Sequence, residues 1–183
     1  MHTLKVADLE LVESIKAGHD DAFDELMRRY KRPVLNFVYR LLGNADEAED
    51  VAQEVFIRVY QNIGTLESSR KFSTWLFAMA HHACIDQLRW RKRHPTESLD
   101  NSPSLASVTT PTTEAATHEI GEHISAAVAK LPQDQRTALI LSEYQGQSHA
   151  EIAQVMRCSE KSVELRLYRA KQTLRQHLKF LLD

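Results

Sequence analysis

Glycine and proline are scarce, five of each in 183 residues. With so few breakers, and with abundant Ala, Leu, Glu and Arg, the composition favours helices. Cysteine is scarcer still. Cys84 and Cys158 stand far apart, outside any C-x-x-C pair and without spaced histidine partners, so neither a disulfide framework nor a zinc site is indicated. Of nine histidines only His81 and His82 are adjacent, and no further ligands lie beside them, so no metal is expected. No run of about 18 apolar residues occurs, and the opening M-H-T-L-K-V-A-D lacks the apolar centre of a leader, which predicts a cytoplasmic protein. Internal repeats, heptads, glycine-rich phosphate loops and a Ser/His/Asp or Cys/His constellation are also missing. Neither catalysis nor a cofactor is expected. What remains is a soluble globular composition, 43% apolar and 26% charged, with a formal net charge of −2.

That near-neutral balance hides a local concentration of positive charge. Between Arg157 and Lys179 seven Lys and Arg face only Glu160 and Glu164. Upstream, Ser148 followed by Glu151 has the form of a capping box and predicts a short helix that buries Ile152, Ala153 and Met156. Arg157 to Glu160 interrupts it, and Ser159 can cap a second helix in which Val163, Leu167, Ala170 and Leu174 recur on one face. The other face carries Lys161, Arg166, Arg169, Lys171 and Arg175. A short capped helix, a tight turn and a longer basic helix together read as a helix-turn-helix that binds DNA. A merely solvated amphipathic helix is the alternative.

Taken in order, Asp8 can cap a first short helix that Gly18 stops, and Asp20 or Asp21 opens a longer one. Phe23, Leu26, Met27, Tyr30, Val34, Phe37, Val38, Leu41 and Leu42 hold its period to Gly43, with a kink expected at Pro33. Asn44 and Glu47 start a third helix, whose stripe is Val51, Val55, Phe56, Val59 and Ile63. Its opening is acidic: Asp46, Glu47, Glu49, Asp50 and Glu54. Such charge complements the helix dipole, or forms a partner surface for a basic helix, and spacing alone leaves both open. A polar connection, T-L-E-S-S-R-K, leads to a helix from Ser73 to about Arg93 that ends in R-W-R-K-R-H. From Arg70 to His94 six Lys and Arg stand against Asp86 alone, a second basic surface. Phe72, Trp75, Phe77 and Trp90 beside it could stack on single-stranded bases or pack in a core; core packing is favoured for Trp75 and Phe77, while Phe72 is open.

Ser, Thr and Pro dominate the stretch from Pro95 to Thr117, and no periodicity survives in it. It reads as a flexible linker able to hold two domains some tens of ångströms apart. The predicted organisation is therefore all-α: residues 1–94, a linker at 95–117, and residues 118–183 containing the helix-turn-helix. In the second domain Ile120, Ile124, Ala127, Val128 and Leu131 precede a break at Pro132, and Ala138, Leu139, Leu141 and Tyr144 mark a helix closed by Gly146.

Four segments carry a family likeness: D-E-A-E-D-V-A-Q-E-V-F-I-R-V-Y from Asp46, K-F-S-T-W-L-F-A-M-A from Lys71, L-P-Q-D-Q-R from Leu131 and S-V-E-L-R-L-Y-R-A-K from Ser162. In this order the chain resembles bacterial RNA polymerase sigma factors of the extracytoplasmic-function type in the sigma-70 superfamily. The resemblance implies a protein that binds core RNA polymerase, through the β′ coiled coil and the β subunit, and directs promoter-specific initiation. It implies core contacts by Asp46, Glu49, Asp50, Gln53 and Glu54. Recognition and melting of the −10 element fall to Arg70, Lys71, Phe72, His82, Arg89, Arg91 and Lys92, with a base flipped out near Phe72. The −35 element falls to Lys161, Ser162, Glu164, Leu165, Arg166, Tyr168, Arg169 and Lys171. Control by an anti-sigma factor is implied as well. Two features depart from the family pattern, one on each basic helix. His82 stands where Asn is common, and Glu164 and Leu165 stand where polar or basic residues are frequent. Glu can accept from cytosine N4 and Leu can meet a thymine methyl, so an altered −35 preference is expected; repulsion of Glu164 by phosphate is the competing outcome.

Two other classes compete. A regulator with an N-terminal sensing or dimerising domain has no reason to carry the acidic helix followed by a basic, aromatic loop and helix. An enzyme fused to a DNA-binding module lacks any coherent acid/base or nucleophile arrangement.

Overall fold

The computed structural model describes residues 7–67, 69–95 and 114–179, of which 114–119 as backbone only. The helices are α1 (Asp8–Lys16), α2 (Asp21–Leu42), α3 (Ala45–Asn62), α4 (Phe72–Arg93), α5 (Glu114–Ala129), α6 (Gln133–Glu143), α7 (His149–Met156) and α8 (Glu160–His177), with a 3-10 turn at Ile63–Thr65 after α3. Among the described residues every regular element is helical, and the helices form two domains, α1–α4 and α5–α8. Most of the expected linker lies at 96–113, outside the described residues, and helix already runs from Glu114.

In the first domain α2 packs against α1, α3 and α4. Val34, Phe37, Val38, Val55, Val59 and Leu76 are almost fully buried, and Phe37 meets Phe77 edge to face at 5.3 Å. Helix α2 continues through Pro33 as one element. Asp8 does not cap α1: Ala7 holds that position, and the Asp8 carboxylate instead accepts from Arg29 Nη1 at 2.8 Å and from the Tyr30 hydroxyl. Two strong donors, one charged, outcompete a backbone N–H for that carboxylate. Asn44 caps α3 by accepting from the Glu47 N–H at 3.0 Å. The box is not closed, because Glu47 turns its carboxylate to Arg91 and to Gln87 Nε2.

In the second domain Pro132 ends the turn before α6, and α6, α7 and α8 bury Ile140, Leu141, Ile152, Val155, Val163 and Ala170. The expected box at the start of α7 is complete: the Glu151 N–H donates to Ser148 Oγ and the Ser148 N–H to Glu151 Oε2 at 2.8 Å. Ser159 caps α8 through the Ser162 N–H at 3.2 Å. Between them Arg157 takes the left-handed conformation, φ 50°, which turns the chain sharply from α7 into α8.

The two domains are in contact, not held apart. Helix α7 lies against α4, and α6 against the end of α2.

Candidate nucleic-acid interface

Helix α3 separates its residues cleanly. Ala48, Val51, Ala52 and Val55 face the core, and Asp46, Glu49, Asp50, Gln53 and Glu54 are all exposed on the other side. The strip then becomes apolar: Ile57 and Tyr60, one and two turns beyond Gln53, are each 51% exposed. They border a groove of about 550 Å³ between α2 and α3, lined also by Phe23, Met27, Leu35 and Phe56. A helix that offers cations and apolar side chains would satisfy both halves of this surface. Spacing had placed only the acidic half in the candidate interface; the signal for the rest was two large apolar residues continuing the polar face.

The α4 candidates are scattered by packing. Arg70, Arg89 and Lys92 are exposed. Phe72 is only 4% exposed, edge to face with Tyr30 at 5.3 Å, so its ring is not offered to a base in this arrangement. Arg91 is half-buried, donating to Glu47 and, at 2.9 Å, to the Leu42 carbonyl; it ties α4 to the α2–α3 corner. Lys71 donates to Glu151 at 2.7 Å, and that bond holds the Glu151 carboxyl below its ordinary range. Phe77 is buried and Trp75 half-buried, whereas Trp90 is 47% exposed and stacks on His94. His82 is half-buried, and burial followed by the nearby Arg157 charge depresses its pKa. His81 is buried, its pKa lowered to about 4 by desolvation and then by His82.

Helix α8 presents its candidates more openly. Val163, Leu167 and Ala170 are buried, while Lys161, Glu164, Leu165, Tyr168, Arg169 and Lys171 are exposed. Leu165 and Tyr168, 48% and 61% exposed, form an apolar pair one turn apart in the middle of that surface. Lys171 bridges to Glu143 at 2.9 Å on the flank. Ser162 is half-buried beside its cap. Arg166 turns inward, donating to Asp134 at 2.8 Å and to Cys158 Sγ at 3.0 Å, which anchors α8 to α6 and to the turn. Among the described residues no group of three His, Cys, Asp or Glu could hold a metal, and no helix is long and apolar enough to cross a membrane.

Residues 26–94 match the family model "Sigma-70 region 2" and residues 122–174 match "Sigma-70, region 4". The RNA polymerase sigma-H factor of Pseudomonas aeruginosa is 33% identical, over 96% of this chain and 95% of its own length. The ECF RNA polymerase sigma factor SigW of Bacillus subtilis is 34% identical, over 92% and 95%. Among solved structures, CnrH in complex with the cytosolic domain of CnrY shares the fold, with a TM-score of 0.73 at 24% identity over 95% of this chain and 98% of that one. So does RpoE of Bartonella quintana, in complex with the anti-sigma factor NepR, at 0.75 and 23% over 87% and 98%.

Proposed function

From the premise that this chain belongs to the extracytoplasmic-function sigma factors of RNA polymerase, we propose how its surfaces divide the work of directing promoter-specific initiation. The exposed strip of α3, Asp46, Glu49, Asp50, Gln53 and Glu54 with Ile57 and Tyr60, docks on a basic, partly apolar helix of core polymerase. Arg70, Arg89 and Lys92 hold backbone phosphates near the −10 element, and Lys71 and His82 read it. Phe72 serves that site as the buried support under the loop. Lys161, Glu164, Leu165, Tyr168 and Arg169 enter the major groove at the −35 element, where Leu165 fits a thymine methyl. Arg91 and Arg166 act as positioning residues, each holding its helix against a neighbour. The protein has no catalysis of its own and works in the cytoplasm, where core polymerase is. An anti-sigma protein is its expected regulator.

One observation carries this reading: a single chain offers an exposed acidic strip and, apart from it, two basic helices, with relatives of the same span named as sigma factors. The test is a double dissociation. Charge reversal at Asp50 and Glu54 should abolish binding to sigma-free core polymerase while leaving DNA affinity intact. Arg169→Ala should weaken binding to promoter duplex and spare core binding. Equal losses in both assays, or neither, would overturn the assignment, and each affinity belongs with its salt concentration because phosphate contacts are salt-dependent.

A further inference from the structure

Helix α2 stops at Gly43, whose φ of 72° turns the chain away, and carbonyls of its last turn are already served. The Gly43 N–H donates to the Tyr39 carbonyl at 2.8 Å. Arg136 Nη1 reaches the Leu41 carbonyl at 3.2 Å, and Arg91 Nη1 the Leu42 carbonyl at 2.9 Å. Two guanidiniums from elsewhere in the chain thus complement the negative end of the helix dipole. Arg40, in the same last turn, is not needed for that work.

Arg40 is half-buried and has no hydrogen bond or ion pair among the described residues; its guanidinium lies 3.9 Å over the Tyr144 ring. A ring contact holds the group in place and leaves its N–H donors free for a further partner. This cation lines a cavity of about 240 Å³ between the end of α2 and α5. Tyr39, Val128 and the small side chains of Ala126 and Ala129 give it apolar walls, and Ser125 adds a hydroxyl. The one carboxylate in the lining, Glu122, is exposed and already has an interaction of its own. Solvent and salt screen it, whereas the half-buried Arg40 is screened less. Concave, largely apolar sites at domain junctions with one oriented polar group are where small molecules bind.

We propose that this cavity binds a small organic anion, whose charged group accepts from the Arg40 guanidinium while its apolar body rests on Ala126, Val128 and Ala129. None of these residues belongs to the DNA or core surfaces assigned above, so the site goes beyond that reading and stands or falls apart from it.

The probes are naphthalene-2-sulfonate and its uncharged counterpart, naphthalene-2-sulfonamide. Each is titrated into the isotope-labelled full chain and followed by backbone amide shifts, which locate the probe as well as weigh it. The sulfonate should move the Gly43, Ser125 and Ala126 signals and bind about tenfold more tightly than the sulfonamide, the size of one charge-assisted hydrogen bond. Arg40→Gln should remove that preference and leave the sulfonamide binding as before. Added salt should weaken the sulfonate in the parent chain and have little effect in Arg40→Gln. Ala126→Trp fills the cavity from α5 with Arg40 in place, and should abolish both titrations at this site with far-UV helicity unchanged. Arg40→Lys and Ala129→Leu form a milder pair with the same losses expected in part, and they decide the matter if the first variants lose helicity. Shifts confined to the α2–α3 groove, or no shifts, would overturn the site. Equal affinity for the two probes, or a preference that survives loss of the guanidinium, would overturn its anion chemistry.

Discussion

Helices α4 and α8 carry the same surplus of five positive charges in their sequence neighbourhoods, yet the fold treats them differently. Helix α8 buries one narrow stripe, Val163, Leu167 and Ala170, and leaves Lys161, Glu164, Leu165, Tyr168, Arg169 and Lys171 exposed. Helix α4 is buried on two faces, with Leu76, Phe77, Ala80 and Cys84 on one side and Thr74 and His81 on the other. A count of cations therefore locates a candidate nucleic-acid surface without saying how much of it is free. On α8 the cations flank an exposed apolar pair; on α4 they crowd towards the ends, because the middle is enclosed.

This contrast can be broken or sharpened by substitution, beginning with the core. Phe77→Ala should cost about 3–5 kcal/mol, as large-to-small changes in a packed interior do. Urea unfolding followed by far-UV circular dichroism would show it as a first-domain transition at lower denaturant. On α8, Leu165→Ala should change stability by less than about 0.5 kcal/mol, while reducing preference for a thymine-containing −35 duplex by roughly tenfold, a loss within the 1–3 kcal/mol of a specific base contact. Competition binding against the same duplex with that thymine replaced by uracil, which lacks the methyl group, checks it.

The helix starts differ as well. Ser159→Ala removes the cap of α8 and should cost about 1 kcal/mol, whereas Lys71 occupies the cap position of α4 without making a cap bond, so Lys71→Ala should have no capping cost. Thermal unfolding of the two variants, measured side by side, separates them. The smallest effect is expected at the turn. Arg157→Gly relieves a left-handed residue but adds freedom to the unfolded chain, so a net stabilisation of no more than about 1 kcal/mol should appear as a slightly raised Tm.

Much of the architecture was legible because it is local. Capping by Asn44, Ser148 and Ser159 depends on residues three positions away, and the stripe of α3 repeats within a single helix. The acidic strip stood out for the same reason. Hidden from the sequence were partnerships across long separations. Lys71 meets Glu151 80 residues away, Arg91 meets Glu47, and Arg166 meets Asp134. Each is a cation that local charge counting assigns to DNA and that tertiary structure gives to a carboxylate. Phe72 was open at the loop edge for a related reason, because nothing nearby announces that Tyr30 closes over it. Asp8 misled in the opposite sense: it stands where a cap belongs, and Arg29 and Tyr30 claim it instead.

In the proposed function, this chain confers promoter choice on core polymerase through two separate DNA readers. Sigma-free core polymerase supplied with genomic fragments, with and without the purified protein, tests it most directly when the 5′ ends of the transcripts are mapped. New start sites that share two upstream elements at constant spacing are expected, and they should vanish with the Asp50 and Glu54 charge reversal. Start sites unchanged by the protein, or new ones sharing no common elements, would contradict it.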